Sequence, residues 1–164
     1  MGTDPKKDTY VKDWMLDREQ PQHEVHLSSY NMSRYPVTNA QYHAFVEDGG
    51  YADGKWRHCW TLEGWEWKED NAKTGPAKYG GEFDLPNYPV VVVSWYEAAA
   101  FCNWLTLRLR EHGKLSDDQS IRLPTEAEWE KAARGDDGRI YPWGNKIGVE
   151  FANYADTGLG ATSA

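Results

Sequence analysis

Several groups of residues in this chain of 164 are of types that carry out chemistry, and spacing decides how far each can be taken. His23 and His26 flank Glu24 in the string HEVH, a pattern that invites a metal reading. On a strand, side chains alternate, so positions 23 and 26 face opposite ways and do not close on one ion. His43, His58 and His112 stand alone. The two cysteines, Cys59 and Cys102, are too few for a four-cysteine zinc site or a disulfide-dense scaffold; pairing with each other or with a group elsewhere stays open. Cys102 falls on the apolar face of an expected helix, where a thiol acts as a small hydrophobe. Cys59, between His58 and Trp60 in an irregular stretch, is expected to be the more accessible, and a neighbouring imidazolium would lower its pKa. Glu126, Glu128 and Glu130 resemble paired catalytic carboxylates, but helix capping and the helix dipole already account for the first two. Asn145, Asn153, Asp156 and the carbonyls of a glycine-containing tail are hard oxygen donors of the kind calcium takes, at a spacing that fits no EF-hand. Asn and Asp also stabilise turns unaided.

What is missing narrows the classes further. There is no HExxH, no glycine-rich phosphate loop, no serine nucleophile elbow and no CxxC, so hydrolase and nucleotide-binding readings have no support. A net charge of −8, from 18 basic and 26 acidic side chains, argues against nucleic acid or an anionic membrane as the main partner. No apolar run approaches the roughly 20 residues that cross a bilayer, and no charged-then-apolar leader opens the sequence. The expectation is a cytoplasmic rather than a secreted protein, with a peptide or small molecule as ligand.

The elements that position these residues can be read from capping and periodicity. Thr38 with Gln41, Ser94 with Glu97, and Thr125 with Glu128 are three capping boxes, each predicting a helix start. Tyr42, Phe45 and Val46 give the first helix its apolar face, and Gly49-Gly50 its stop. Ala98, Phe101, Cys102, Leu105 and Leu109 mark a second, amphipathic helix to about His112-Gly113. Trp129, Ala132 and Ala133 are the expected buried stripe of the third, with Gly135 as its end. Residues 1–22 read as a surface loop, 23–34 as one or two short strands, and Val90–Val93 as a short buried strand. Between Tyr51 and Leu85 no period is sustained. With 9 Trp, 10 Tyr and 4 Phe, the chain is rich in side chains that bury large area yet carry an N–H or O–H needing a partner. That favours ordered, hydrogen-bonded loops over a helical bundle or a doubly wound sheet. Trp56, Trp60, Trp65 and Trp67 make the 51–85 stretch an ordered loop rather than a linker. It is either packed into the core or, through Trp60, Trp65 and Trp67, a groove that stacks on peptide or sugar.

Four strings occur in order: RYPVTNAQY from Arg34; NYPVVVVSWYEAAAFCNWL from Asn87; RLPTEAEWE from Arg122, continuing to AARG; and YPWGN from Tyr141. Together they closely resemble the sulfatase-modifying-factor family, whose founding activity is the formylglycine-generating enzyme. The resemblance implies an α+β, loop-rich, modified C-type-lectin-like fold over residues 1–164 as one domain. It also implies oxidation of a peptidyl cysteine to formylglycine, with oxygen and copper held by a cysteine pair. The family's RGGSW-like and GN-x-WEW motifs, which accompany that pair, are not in this chain, so Cys102 matches only a structural helix cysteine of some members. Asn153 and the carbonyl of Tyr154 match the start of a family calcium site, and Asp156 matches it more loosely. Thr38, Ser94, Thr125 and Trp129 belong with Cys102 among the structural positions.

Met1-Gly2-Thr3 resembles the inside of a family motif, so the domain is expected to be incomplete at both ends. The remainder would be supplied in the same or another chain, and residues 1–164 alone would leave apolar surface open and melt early. Three functions follow. The chain is the scaffold and ligand-loop portion of a formylglycine-generating oxidase; or a non-catalytic, lectin-like binding or sensor module; or the lectin-like domain of an iron-dependent sulfoxide synthase of the ergothioneine type. FVEDGGY followed by LEGWEW also resembles that last group.

Overall fold

The structure, a computed structural model, describes residues 1–4, 6, 19–160 and 162–163. Among them are four α-helices: α1 (Asn39–Glu47), α2 (Leu62–Asp70), α3 (Trp95–Glu111) and α4 (Glu126–Arg134). The only β pairing among the described residues is two isolated antiparallel bridges, Thr38 with Pro89 and Tyr141 with Gly144. The protein is thus mixed and loop-rich with little strand. No helix of the described residues is long and apolar enough to cross a membrane. Two compact units are present: Met1–Ser33 with Pro124–Ala152, and Arg34–Leu123 with Asn153–Ala164.

The second unit holds the core. In all three capping boxes the side-chain oxygen of Thr38, Ser94 or Thr125 takes the N3 amide, while the N3 side chain takes the cap amide. Substituting such a cap costs about 1 kcal/mol. At the other end of α1, Gly50 N–H reaches Phe45 C=O at 2.9 Å and Gly49 N–H reaches Val46 C=O at 3.1 Å, a Schellman stop. Gly49 supplies its left-handed residue at φ 86°. Gly50 is required for space, because a Cβ there would run into the Phe45 ring. Phe45 is fully buried and stands at the centre of a ring cluster, with Tyr42 at 5.8 Å, Tyr51 at 5.6 Å, Phe101 at 6.0 Å and Trp104 at 5.4 Å between centroids. Pairs of this kind add about 0.5–1.5 kcal/mol beyond burial. Indoles and phenols drawn in bring polar atoms that need partners: Trp60 Nε1–H donates to Gly50 C=O at 2.8 Å and Trp104 Nε1–H to Asp48 Oδ2 at 2.8 Å, whereas the buried Trp56 Nε1–H meets no acceptor among the described residues.

Four expectations from the sequence are corrected. The 51–85 stretch is not loop throughout, for it contains α2, capped by Thr61 through Gly64 N–H. Its Schellman stop uses Ala72 at φ 48°, with Lys73 N–H on Lys68 C=O at 2.9 Å. Val90–Val93 is not a strand: Val90 N–H meets Val37 C=O at 2.9 Å, but Val92 turns to φ 58° and is exposed, which ends any ladder. Residues 23–34 hold no strand. Trp129 is 64% exposed, Ala132 is exposed and Ala133 half-buried, whereas Glu128 is buried. The inner side of α4 meets polar backbone rather than an apolar layer; Tyr30 O–H donates to Glu128 C=O at 2.8 Å, and Gly2 N–H to the Glu130 carboxyl at 3.0 Å. The expected surface loop over 1–22 falls outside the described residues at 5 and 7–18, and Gly2 and Thr3 are buried.

Ala72 holds a left-handed conformation that costs an L-residue free energy and glycine none. Ala72→Gly is expected to stabilise the fold by about 1 kcal/mol in chemical denaturation, and an equal loss of stability would contradict the cap assignment.

Candidate functional site

A groove of about 430 Å³ opens in the second unit, between α1 and the chain at 76–91. Helix α1 explains why it is there. The first amides of any helix lack intrahelical partners, and here the chain at 83–88 supplies them. Asn39 N–H donates to Tyr88 C=O at 2.8 Å and Ala40 N–H to Pro86 C=O at 2.9 Å. The Asn39 side-chain amide adds Phe83 C=O at 2.7 Å and Leu85 C=O at 2.8 Å. These four bonds pin one wall opposite the helix. The apolar lining comes from Ala40, Val46, Pro76, Ala77, Pro86 and Val91.

Tyr42 is among the residues lining the groove, and its hydroxyl enters a chain of hydrogen bonds in the core. Tyr42 and Tyr51 hydroxyls lie 2.9 Å apart, Tyr51 O–H donates to Glu97 Oε1 at 2.8 Å, and Ser94 N–H donates to Glu97 Oε2 at 2.8 Å. Tyr42 O–H also lies 3.2 Å from Glu97 C=O. Glu97 is fully buried. Burial pushes both phenols well above the ordinary tyrosine range, reinforced at Tyr51 by Tyr42 and Glu97. The network holds Tyr42 neutral and fixed behind the groove.

The groove's ionisable side chains are His43, Lys78 and Asp84, with Tyr42 behind them. His43 Nε2 lies 3.2 Å from Glu47 Oε1. Asp84 accepts Tyr79 N–H at 3.3 Å and Gly80 N–H at 3.1 Å. Lys78 is exposed, and among the described residues no acidic group pairs with it.

The residues picked from the sequence lie largely elsewhere. Trp60 and Trp65 are core side chains, 6.0 Å apart edge to face, and Trp65 lies between Arg57 at 4.4 Å and Lys68 at 4.1 Å. Trp67 is half-buried, 5.8 Å from Tyr96. Cys59 is not accessible but 1% exposed, because the turn that carries it packs on α3 and its carbonyl accepts the Asn103 side-chain amide at 2.8 Å. Cys102 is buried too, and both thiols are free. Burial pushes Cys59 up to about 11 and raises Cys102, the reverse of what a copper-binding or reactive thiolate needs. Glu126 and Glu128 serve the start of α4, and Glu130 accepts Gly2 N–H.

His23 Nδ1 lies 2.9 Å from Pro21 C=O. Asn145 Oδ1 takes Ile140 N–H at 2.9 Å, closing a turn in the first unit. In the second unit, Thr157 O–H lies 3.2 Å from Asn153 Oδ1 and 2.7 Å from Tyr154 C=O, and Asp156 is exposed. Calcium takes six to eight oxygens, so Asn153, Tyr154 and Asp156 alone do not make its site. The described residues also contain no cluster of three or more His, Cys, Asp or Glu able to hold a metal.

Sequence reasoning read Tyr42 as helix face and Glu97 as a cap, which both are. Their joint burial with Tyr51 was not visible, since the three are joined only by tertiary contact. Pro76 and Pro86 in an irregular stretch, with Pro89 directly before the valine run, were the available sign of a shaped wall.

The family model of the sulfatase-modifying factor enzyme 1-like domain matches residues 1–163. The chain belongs to this family. As a sulfatase-modifying-factor domain it is 33% identical over 159 residues to the hercynine oxygenase of Mycolicibacterium thermoresistibile, covering 88% of this chain and 31% of that protein. It is 36% identical over 158 residues to the formylglycine-generating enzyme of Thermomonospora curvata, covering 80% and 46%. With the formylglycine-generating enzyme of Bos taurus it shares 31% over 179 residues, covering 95% and 42%. The chain therefore spans between 31% and 46% of the length of these relatives.

The buried thiols yield a pH-dependent expectation. A thiol raised from 9.0 to about 11 in the folded state contributes stability that is complete below the unfolded value and is lost as pH rises through the folded one. Both cysteines should resist a thiol-specific reagent at pH 8 until denaturant is added, and stability should fall between pH 9.0 and about 11. Rapid labelling of Cys59 in the folded protein would refute this.

Proposed function

We propose that this chain is the scaffold and ligand-binding portion of an oxidase of the formylglycine-generating kind, which converts a peptidyl cysteine to formylglycine. The observation that carries the proposal is the apolar groove on a rigid, hydrogen-bonded frame in a chain whose family includes formylglycine-generating enzymes. The oxidative step lies outside the residues described. Cys59 and Cys102 are too buried to hold copper as a thiolate pair, so copper, and the further oxygens calcium would need beside Asn153, Tyr154 and Asp156, would come from the rest of the domain, in the same or another chain. In this reading the chain binds and orients, and its lectin-like frame keeps the loops in place.

The identity to hercynine oxygenases favours a second reading, in which the same frame serves an oxygenase acting on hercynine. The two separate in one assay. The full-length protein, loaded with copper and given oxygen and a sulfatase-type cysteine peptide, is expected to produce an aldehyde detectable with an aldehyde-reactive probe. No aldehyde, together with oxygenation of hercynine by the iron-loaded protein, would replace the first reading with the second; turnover in neither would leave a binding module.

A further inference from the structure

The aromatic core contains a line of oxidisable side chains leading to a buried base. Trp65 is 9% exposed and lies 6.0 Å from Trp60, which lies 5.2 Å from Tyr51, between ring centroids. The Tyr51 hydroxyl is 2.9 Å from that of Tyr42. Indoles and phenols are, after thiols, the side chains that give up a single electron most readily.

Hydrogen bonding decides where along this line a missing electron comes to rest. Burial holds the Tyr51 phenol in its protonated form, so its electron leaves easily only if its proton leaves with it. A base must then stand within hydrogen-bond reach of that proton. Tyr51 has one. Its O–H donates to Glu97 Oε1 at 2.8 Å, while Glu97 Oε2 accepts the Ser94 amide at 2.8 Å. Both carboxyl oxygens act as acceptors, so the group can take a proton. The neighbours are less well served. Tyr42 O–H meets a hydroxyl and a backbone carbonyl, and Trp60 Nε1–H donates to the Gly50 carbonyl at 2.8 Å. A carbonyl is no base, so an oxidised Trp60 keeps its positive charge. At Trp65 that charge is costlier still, because Arg57 lies 4.4 Å and Lys68 4.1 Å from the ring and like charges repel strongly where water is scarce. A positive hole entering at Trp65 therefore runs downhill through Trp60 to Tyr51.

We propose that Tyr51 is a redox-active tyrosine: a one-electron oxidant draws an electron from its ring by way of Trp60 and Trp65, the Tyr51 O–H bond breaks, and the proton forms a new O–H bond on Glu97 Oε1. The products are a neutral tyrosyl radical, a protonated Glu97 and the oxidant reduced by one electron. The step needs no particular substrate, so it is independent of whether the protein acts on a peptidyl cysteine or on hercynine.

Light can supply the oxidant. Full-length protein is flashed with ruthenium tris-bipyridine and a cobalt(III) electron acceptor, and radicals are followed by transient absorption and, after freezing, by electron paramagnetic resonance. A tyrosyl signal is expected, most of it lost in Tyr51→Phe. Its formation should slow in heavy water and in Trp60→Phe, and keep its rate as buffer concentration rises, because the proton goes to Glu97 rather than to solvent. Glu97→Gln keeps an acceptor oxygen but takes no proton, and should replace the tyrosyl signal with a tryptophan one. A tyrosyl signal undiminished in Tyr51→Phe, a rate that climbs with buffer concentration, or a full tyrosyl yield in Glu97→Gln would each overturn the proposal. If Glu97→Gln does not fold, the Tyr51→Phe and buffer measurements decide alone.

Discussion

The second unit depends on one buried carboxyl group. Glu97 has no exposed surface, and a polar group so placed is tolerable only when every lone pair that matters has a donor. Its two oxygens draw the Tyr51 hydroxyl from the turn after α1 and the Ser94 amide from the start of α3, while Tyr42 of α1 closes on Tyr51 and on the Glu97 carbonyl. One residue thus ties the start of its own helix to α1 and the turn after it, 46–55 residues away. No cation pairs with Glu97 among the described residues, so the geometry relies on hydroxyl and amide donors, which are directional.

The rest of the core is compatible with that constraint because it is aromatic. Rings of Tyr42, Phe45, Phe101 and Trp104 pack around the network; Trp104 donates to Asp48, and Trp60 beside them to the Gly50 carbonyl. An aliphatic core would need regular elements to satisfy its backbone. An indole- and phenol-rich core instead hydrogen-bonds the loops directly, so a frame with little strand can still be rigid. The functional consequence falls at Tyr42, a residue of the groove wall whose hydroxyl is held in the network. A groove wall fixed in this way loses little conformational freedom when a ligand arrives.

Three helix starts were legible in the sequence because a capping box is a local, reciprocal motif whose residues stand three apart. α2 was not, for equally local reasons. Its cap Thr61 has Gly64 where a capping box carries Glu or Gln, and its stop is Ala72 rather than glycine. The valine run gave a strand-like composition, but Val92 at φ 58° shows that the ends of the segment, tied to Val37 and to the start of α3, override propensity. A tryptophan on a helix face implies burial, but Trp129 is exposed because the partners on the inner side of α4 are polar. Of the site, the residue types were readable and the grouping was not. Aromatic and cysteine positions were chosen by composition, yet burial removed Trp60, Trp65 and Cys59 from solvent and left Lys78 and the proline-flanked wall as the accessible chemistry.

If the Tyr51–Glu97 bond organises the second unit, the two residues are energetically coupled rather than merely buried together. A double-mutant cycle with Tyr51→Phe and Glu97→Leu in the intact protein measures this directly. The expected result is that Tyr51→Phe costs about 1–3 kcal/mol in the parent, where it leaves a buried acceptor unmet, and close to nothing once Glu97 is Leu. The same cost in both backgrounds, to within about 0.5 kcal/mol, would contradict the central place given to Glu97.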